Sequence, residues 1–306
     1  MSSPARDPEE LFAELRYALD EGYAELPPEH LLDRILNVAY ESREPGRPVD
    51  RPAPISGADV FARSIASLNA TLEDLTEADW KCRALRGLDV QGLLGHLIGV
   101  EETFIKVVSG DPSTDSDDHI GSTQPYALAQ AGKTPTQSLR EWQLVTARSV
   151  EVVSTEPPER EVAFYGVALP LAQLLVIRAF EMWVHEEDVR RATDRSLNPP
   201  DAEPLSRMAE LAVALLPAGI ARAGLSLGGQ AVRLVLTGPA GGSWTVAMDG
   251  RSAPSGAESA IVVVDTAAFC RVVGNRLAQC DTGAWIDGDQ QLAADLFTGA
   301  AELALD

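Results

Sequence analysis

The sequence predicts a fold of class α plus α+β: a bundle of four long helices over residues 56–195, then a small α+β domain over residues 200–306. Two observations carry this. In four separate segments apolar residues recur at steps of three and four, the seam by which helices pack on one another. After Asn198-Pro199-Pro200 the texture changes to short β-branched runs separated by glycine-rich turns. A third observation sets off an N-terminal helical appendage over residues 1–50. It is closed by Glu44-Pro-Gly-Arg-Pro-Val-Asp-Arg-Pro-Ala-Pro, a linker that neither a helix nor a central strand can cross.

In the appendage, Asp7 caps a helix that opens with Pro8, Glu9 and Glu10 and carries Leu11, Leu15 and Leu19. A second helix follows Pro28, with Leu31, Leu32, Ile35 and Leu36 on one face. The first bundle helix starts at the cap residue Ser56 and bears Phe61, Ile65, Leu68, Leu72 and Leu75. Asp89 caps the second, from Val90 to about Val108, striped by Leu93, Leu97, Val100, Phe104 and Val107. The third follows Thr134-Pro135 and carries Leu139, Trp142, Val150 and Val153, and the fourth runs from Pro170 to about Ala192. Gly110 to Lys133, rich in Asp, Ser, Gly and Pro, is expected to be a long functional or disordered loop.

Beyond residue 200 a helix from Leu205 to about Ala223 precedes the strands Val232-Arg-Leu-Val-Leu-Thr and Ser243-Trp-Thr-Val-Ala-Met, joined by Gly238-Pro-Ala-Gly-Gly. Ile261-Val-Val-Val is a third strand. Asp265 caps a helix containing Phe269 to Arg276, and Asp289 caps the last one.

Charge narrows the function. Of 306 residues, 46 are acidic and 25 basic, a formal charge of −21 with no local basic run. Such a surface repels phosphate backbones and anionic lipid, so neither nucleic acid nor a membrane is an expected partner. The opening MSSPARDPEELF lacks the basic and apolar regions of a secretory signal, and no window approaches the ~20 unbroken apolar residues of a membrane helix. Cys82, Cys270 and Cys280 fit no disulfide framework or zinc ribbon, so reduced thiols and a cytoplasmic setting are expected.

The fourth bundle helix carries the chemistry. Against Leu174, Leu175, Val176, Ile177, Phe180, Trp183 and Val184, the polar residues Arg178, Glu181, His185 and Asp188 fall at steps of three, four and three, one line on a helix. Burying such a line is costly unless each member has a partner. The E-x-x-x-H pair sets a carboxylate and an imidazole one turn apart, a spacing that can chelate a metal. His96 is the candidate third ligand: it lies mid-helix among Gly92, Gly95 and Gly99, each of which costs ~1 kcal/mol relative to alanine there and needs a cause such as an ion, a ligand or a closely packed helix. His30 reads as a surface residue and His119 as a solvated loop residue. Glu101 or Glu102, a turn beyond His96, is a candidate for proton handling, with a solvated helix face as the plainer reading.

The segments GHLIGVE, FEMWVHEEDVRRA, VRLVLTGPAGG, FCRVVGNR and IDGDQQLAADLFTGAAELALD together resemble the DinB-like family, in its mycothiol-dependent maleylpyruvate isomerase branch, over about residues 56–306. The resemblance implies a DinB-like four-helix bundle followed by a sterol-carrier-like α/β domain. It implies a divalent metal, usually zinc, on His96, Glu181 and His185. It also implies an arginine assisting thiol-cofactor chemistry, for which Arg276 matches best, with Arg271 and Arg233 as rivals. The implied partners are mycothiol and a small-molecule electrophile, in a monomer or homodimer. Chemically, an N2O donor set suits zinc and leaves a coordination position open, where a thiol ionises more readily. Two further classes stand beside this one: a metal-dependent hydrolase without a thiol cofactor, and a ligand-binding protein with a structural metal.

Overall fold

The computed structural model describes residues 52–111, 118–225, 229–248 and 258–304. The expected appendage helices lie outside the described residues. Residues 51–306 form one compact unit, rich in helix and carrying small sheets.

Helix α1 spans Gly57–Glu73, and its cap is reciprocal: Asp59 donates its backbone N–H to Ser56 Oγ while the Asp59 carboxylate accepts from the Ser56 backbone N–H. The short antiparallel pair β1 (Arg83–Leu85) and β2 (Leu88–Asp89) leads into α2 (Val90–Val108), capped by Asp89 accepting from Gly92 N–H. Helix α3 covers His119–Ala129, and α4 covers Pro135–Ser154 behind a Thr134–Gln137 capping box. A second antiparallel hairpin, β3 (Glu161–Phe164) and β4 (Val167–Pro170), turns through Tyr165 and Gly166 into α5 (Leu171–Ala192). Helix α1 lies along α5, and α2 lies against both α3 and α4.

The rest of the chain is α6 (Ala202–Arg222), β5 (Ala231–Thr237), β6 (Gly242–Ala247), β7 (Glu258–Asp265), α7 (Thr266–Val273), β8 (Trp285–Gly288) and α8 (Gln290–Ala301). The four strands lie in the order β6-β5-β7-β8, with β5 and β7 parallel and both outer pairings antiparallel. Asp265 and Asp289 cap α7 and α8 as expected. Helix α6 is long and apolar enough by composition to cross a membrane, but half of that window is buried, packed on α8 and α7.

Two hydrophobic clusters hold the unit together. One gathers Phe61, Leu68, Leu97, Phe104, Trp142 and Met182 among α1, α2, α4 and α5. The other joins Val176, Ala179 and Trp183 of α5 to Leu216 and Ile220 of α6, to Val232 and Val262 of the sheet and to Phe269 and Phe297. Helix α5 feeds both clusters, so nearly its whole circumference is buried and a polar line on it cannot face water.

The structure corrects one expectation here. Much of the stretch 110–133 is not loop: it contains α3 and a 3₁₀ turn at Gln130–Gly132. Pro125 inside the helix hides it from a sequence reading, because proline lacks the N–H of a regular helix interior. The glycines of α2 acquire their cause at the same time. A β-carbon at Gly95 would sit 2.7 Å from Tyr126 O and 2.8 Å from Ala127 Cα, and one at Gly99 would sit 3.2 Å from Thr123 Cα. The clearance belongs to a closely packed helix.

Gly95→Ala is therefore expected to destabilise the protein by about 1–3 kcal/mol through overpacking, instead of gaining the ~1 kcal/mol that alanine normally brings to a helix interior. Gly132, which has nothing within 4 Å of its would-be β-carbon, is the control, and Gly132→Ala should be close to neutral. Urea midpoints of the two variants measure the contrast. A Gly95→Ala protein as stable as the parent would contradict the packing.

Candidate functional site

Helix α2 presents His96, α3 presents His119, and α5 presents Glu181 and His185, all buried. His96, His119 and Glu181 each offer a ligand atom within 4.8 Å of the others. Glu181 Oε1 lies 3.7 Å from His96 Nε2 and 3.4 Å from His119 Nε2, and it is buried without accepting a hydrogen bond. The His185 ring packs edge-on against His96, with centroids 5.4 Å apart. The His119 ring meets His96 at 5.1 Å and Tyr165, at the tip of the β3–β4 hairpin, at 4.5 Å.

The sequence expectation placed His119 in solvent. It is buried, because Asp118 caps α3 by accepting from Gly121 N–H and sets His119 in the first turn, and the glycine face of α2 lets that helix approach. The one sequence cue was Asp118, a cap residue placed directly before the histidine.

Each donor is oriented from behind. Thr123 Oγ lies 2.7 Å from His96 Nδ1 and also reaches the carbonyls of His119 and Ile120. Asp188 Oδ2 lies 3.1 Å from His185 Nδ1. Both contacts engage Nδ1, as partners behind a metal-binding histidine do. Glu181 Oε2 accepts from Arg178, whose guanidinium donates in turn to Glu101 Oε1, Nη2 at 2.6 Å and Nε at 3.3 Å. Ser149 Oγ donates to Glu101 Oε2 at 2.5 Å.

Glu101 is thus fully buried, not on a solvated face, and it touches the cluster only through Arg178. Glu102 is the one of the pair that reaches outward, to Arg148. Of the expected arginines, Arg276 is bidentate on Asp188, Nε at 2.8 Å from Oδ1 and Nη2 at 2.8 Å from Oδ2, which links it to His185. Arg271 is bidentate on Glu187 and lies over the Trp183 ring at 5.9 Å. Arg233 sits on β5, 3.5 Å from Glu258. Burial by itself pushes the Asp188 carboxyl up, but its hydrogen bonds with His185 and Arg276 and the Arg276 charge outweigh it and hold the group below its usual range.

The four members of the α5 line are accordingly all buried and all engaged, Arg178 by Glu101, Glu181 by Arg178, His185 by Asp188 and Asp188 by Arg276. Beside Glu181 opens a cavity of about 330 Å³ between α5, α6 and the β3–β4 hairpin.

Residues 61–190, which hold every one of these donors, match the family of the mycothiol maleylpyruvate isomerase N-terminal domain. Two solved structures share the fold, the crystal structures of the mycothiol-dependent maleylpyruvate isomerase and of a histidine-to-alanine mutant of it. Each aligns with a TM-score of 0.53 at 12% identity, covering 74% of this chain and 91% of the other. No curated protein sequence matches the chain.

Because Glu101 is sealed from water, Arg178→Met leaves a buried charge without its partner, and a loss of about 3–5 kcal/mol is expected. Adding Glu101→Leu removes the orphaned carboxylate and should recover a large part of that loss. Chemical denaturation of the single and double variants tests the coupling. A single variant within about 1 kcal/mol of the parent would show that the pair is not the buried support it is drawn as.

Proposed function

We propose that this chain, whose residues 61–190 match the family of the mycothiol maleylpyruvate isomerase N-terminal domain, is a cytoplasmic, metal-dependent enzyme that uses mycothiol as a thiol cofactor or co-substrate. The reaction is isomerisation or S-transfer on a small electrophile. In this reading α1, α2, α4 and α5 are a DinB-like four-helix bundle over residues 56–195, and residues 200–306 are a sterol-carrier-like domain.

The observation that carries the reading is Glu181 Oε1: a buried carboxylate oxygen with no hydrogen bond, facing two imidazoles whose other nitrogens are engaged or enclosed. A carboxylate so placed calls for a cation. His96, Glu181 and His185 are the proposed ligands, with His119 beside them as a further donor. Two or more imidazoles and one carboxylate suit zinc first among divalent ions. When bound, the ion favours a thiolate over a thiol near neutral pH.

The protein's own side chains do the rest. Thr123 and Asp188 keep Nε2 of His96 and His185 turned inward, and Arg276 keeps Asp188 ionised and aimed. Arg178 holds Glu181 by one oxygen and leaves the other facing the histidines. Arg276 and Glu101 therefore support the site from behind, and Arg271 does the same for Glu187.

The nucleophilic sulfur has to be brought in. Cys270 is buried, its thiol pushed far up by that burial, Cys280 is exposed on a 3₁₀ turn, Cys82 is half-buried, and none of the three belongs to the donor cluster. Mycothiol suits an acidic protein because its hydroxyl-rich body carries no carboxylate, whereas glutathione would meet like charge. Addition of the thiol sulfur to a conjugated double bond forms a C–S bond. Rotation and expulsion of the same sulfur gives the isomer, whereas protonation of the adjacent carbon retains the thioether.

Protein purified without a histidine tag should contain one divalent ion per chain. Glu181→Ala and His96→Ala should lose most of it, and His185→Ala against His119→Ala ranks the two remaining donors. Arg276→Ala, which removes the bidentate partner of Asp188, is expected to lower metal affinity about 10- to 100-fold by releasing that carboxylate from behind His185. Calorimetry on the metal-loaded protein should show mycothiol binding far more tightly than its des-thiol analogue. Full metal retention in all four ligand variants would remove the metal from this reading. Turnover of an ester or amide without any thiol would transfer it to the hydrolase class.

A further inference from the structure

The 330 Å³ cavity beside Glu181 has a composition that the thiol cofactor does not explain. Its walls come from two helical stripes. Leu174, Ile177 and Val184 line it from α5, and Met208, Leu211 and Leu215 line it from α6, with Val167 of the hairpin and Val273 of α7 closing the sides. The α6 stripe continues to Arg222, fourteen residues beyond Met208 and so about 21 Å along a helix axis. The space is a long slot, within the size range of pockets that bury small organic ligands.

Among the described residues only two charged ones line it, Glu181 and Arg222. Glu181 is held by Arg178 and faces the histidines. Arg222 is exposed in the last turn of α6 and takes part in no side-chain ion pair or hydrogen bond among the described residues. Arg222 thus sets an arginine with no carboxylate partner among the described residues at the edge of an apolar slot. Mycothiol is a poor occupant: its hydroxyls would lose water to walls that offer almost no hydrogen bonds.

We propose that this slot binds the second substrate, and that this substrate is an amphiphilic acid: an electrophile whose body is an alkyl chain of several carbons and which carries a carboxylate recognised by Arg222. The hydrocarbon lies between the stripes of α5 and α6, and desolvation of the chain supplies most of the affinity. The proposal rests on the reading of Glu181 as part of the reacting centre, because it is Glu181 that joins the slot to the histidine cluster. The division is then one of polarity. The polar thiol is received on the histidine side and the apolar acid on the α6 side, with the metal-binding donors between them.

The test uses the full-length, metal-loaded protein and straight-chain carboxylates from butanoate to decanoate, with the matching alcohols, titrated by calorimetry. Affinity should rise about three- to fourfold per added methylene until the slot is filled, and each carboxylate should bind about two- to fivefold more tightly than its alcohol. Arg222→Gln should abolish that preference while leaving the chain-length slope. Ala218→Trp, at an exposed lining position that the fold can accommodate, should cut decanoate binding at least tenfold without changing metal content or mycothiol binding.

Metal content and mycothiol affinity are measured on the same samples, so the two readings fail separately. A chain-length slope in a protein that ignores mycothiol keeps the slot and discards the thiol cofactor. Affinity that is flat from butanoate to decanoate, or unchanged decanoate binding in Ala218→Trp, overturns the slot.

Discussion

Helix α5 is buried on nearly every side and yet carries Arg178, Glu181, His185, Glu186, Glu187 and Asp188, and this conflict organises the rest of the structure. Charges moved out of water are tolerated only with partners of good geometry. The neighbouring elements supply them one by one: Glu101 from α2, itself held by Ser149 of α4, Thr71 from α1, and Arg271 and Arg276 from the segment around α7. The partners converge from both hydrophobic clusters, so the polar line acts as a common seam for elements far apart in sequence. Glu181 Oε1 is left with no hydrogen bond, and it lies 3.7 Å from His96 Nε2 and 3.4 Å from His119 Nε2.

A second constraint is steric. His119 reaches Glu181 because α3 lies almost on the backbone of α2, which glycine at positions 95 and 99 allows. The same approach brings Thr123 to His96 Nδ1, so one close helix contact fixes both a donor and the group that orients another. Gly95 and Gly99, in the helix interior, cost roughly 1 kcal/mol each relative to alanine. The packing they permit offsets that cost and also sets the histidine geometry, which joins local propensity to site chemistry through a single interface.

Much of this was legible in the sequence, for identifiable reasons. The caps at Ser56, Asp89, Thr134, Asp265 and Asp289 each stand where a helix begins, because a side-chain acceptor for the first N–H groups is a local requirement that tertiary structure does not override. The α5 line was legible because polar residues at helical spacing in an apolar background contradict their surroundings. The strands β1 to β4 were not, being two to four residues long, and β8, with four residues, was missed in the same way. Helix α3 was hidden by Pro125 and by the polar run before it. His119 followed from that omission, since burial of a residue in an unrecognised helix has no periodicity to reveal it. The roles of Arg276 and Glu101 were out of reach for another reason: sequence can nominate a charged residue, but whether it faces a substrate or another charge depends on contacts between residues 77 to 88 positions apart.

The two sides of α5 explain how one helix can serve two kinds of molecule. Its polar line looks toward α2 and α3, where water is excluded and an electrostatic interaction is strengthened by the low dielectric. Its apolar stripe, Leu174, Ile177 and Val184, looks toward α6 across the cavity, where dispersion and desolvation are the main forces. Glu181 belongs to both, because steps of three and four place it beside Ile177 and Val184 as well as beside Arg178 and His185. In the proposed reading, a polar thiol and an apolar acid would meet at one carboxylate without competing for the same wall. That separation needs no moving part; it follows from the way a helix of 3.6 residues per turn distributes two patterns around one axis.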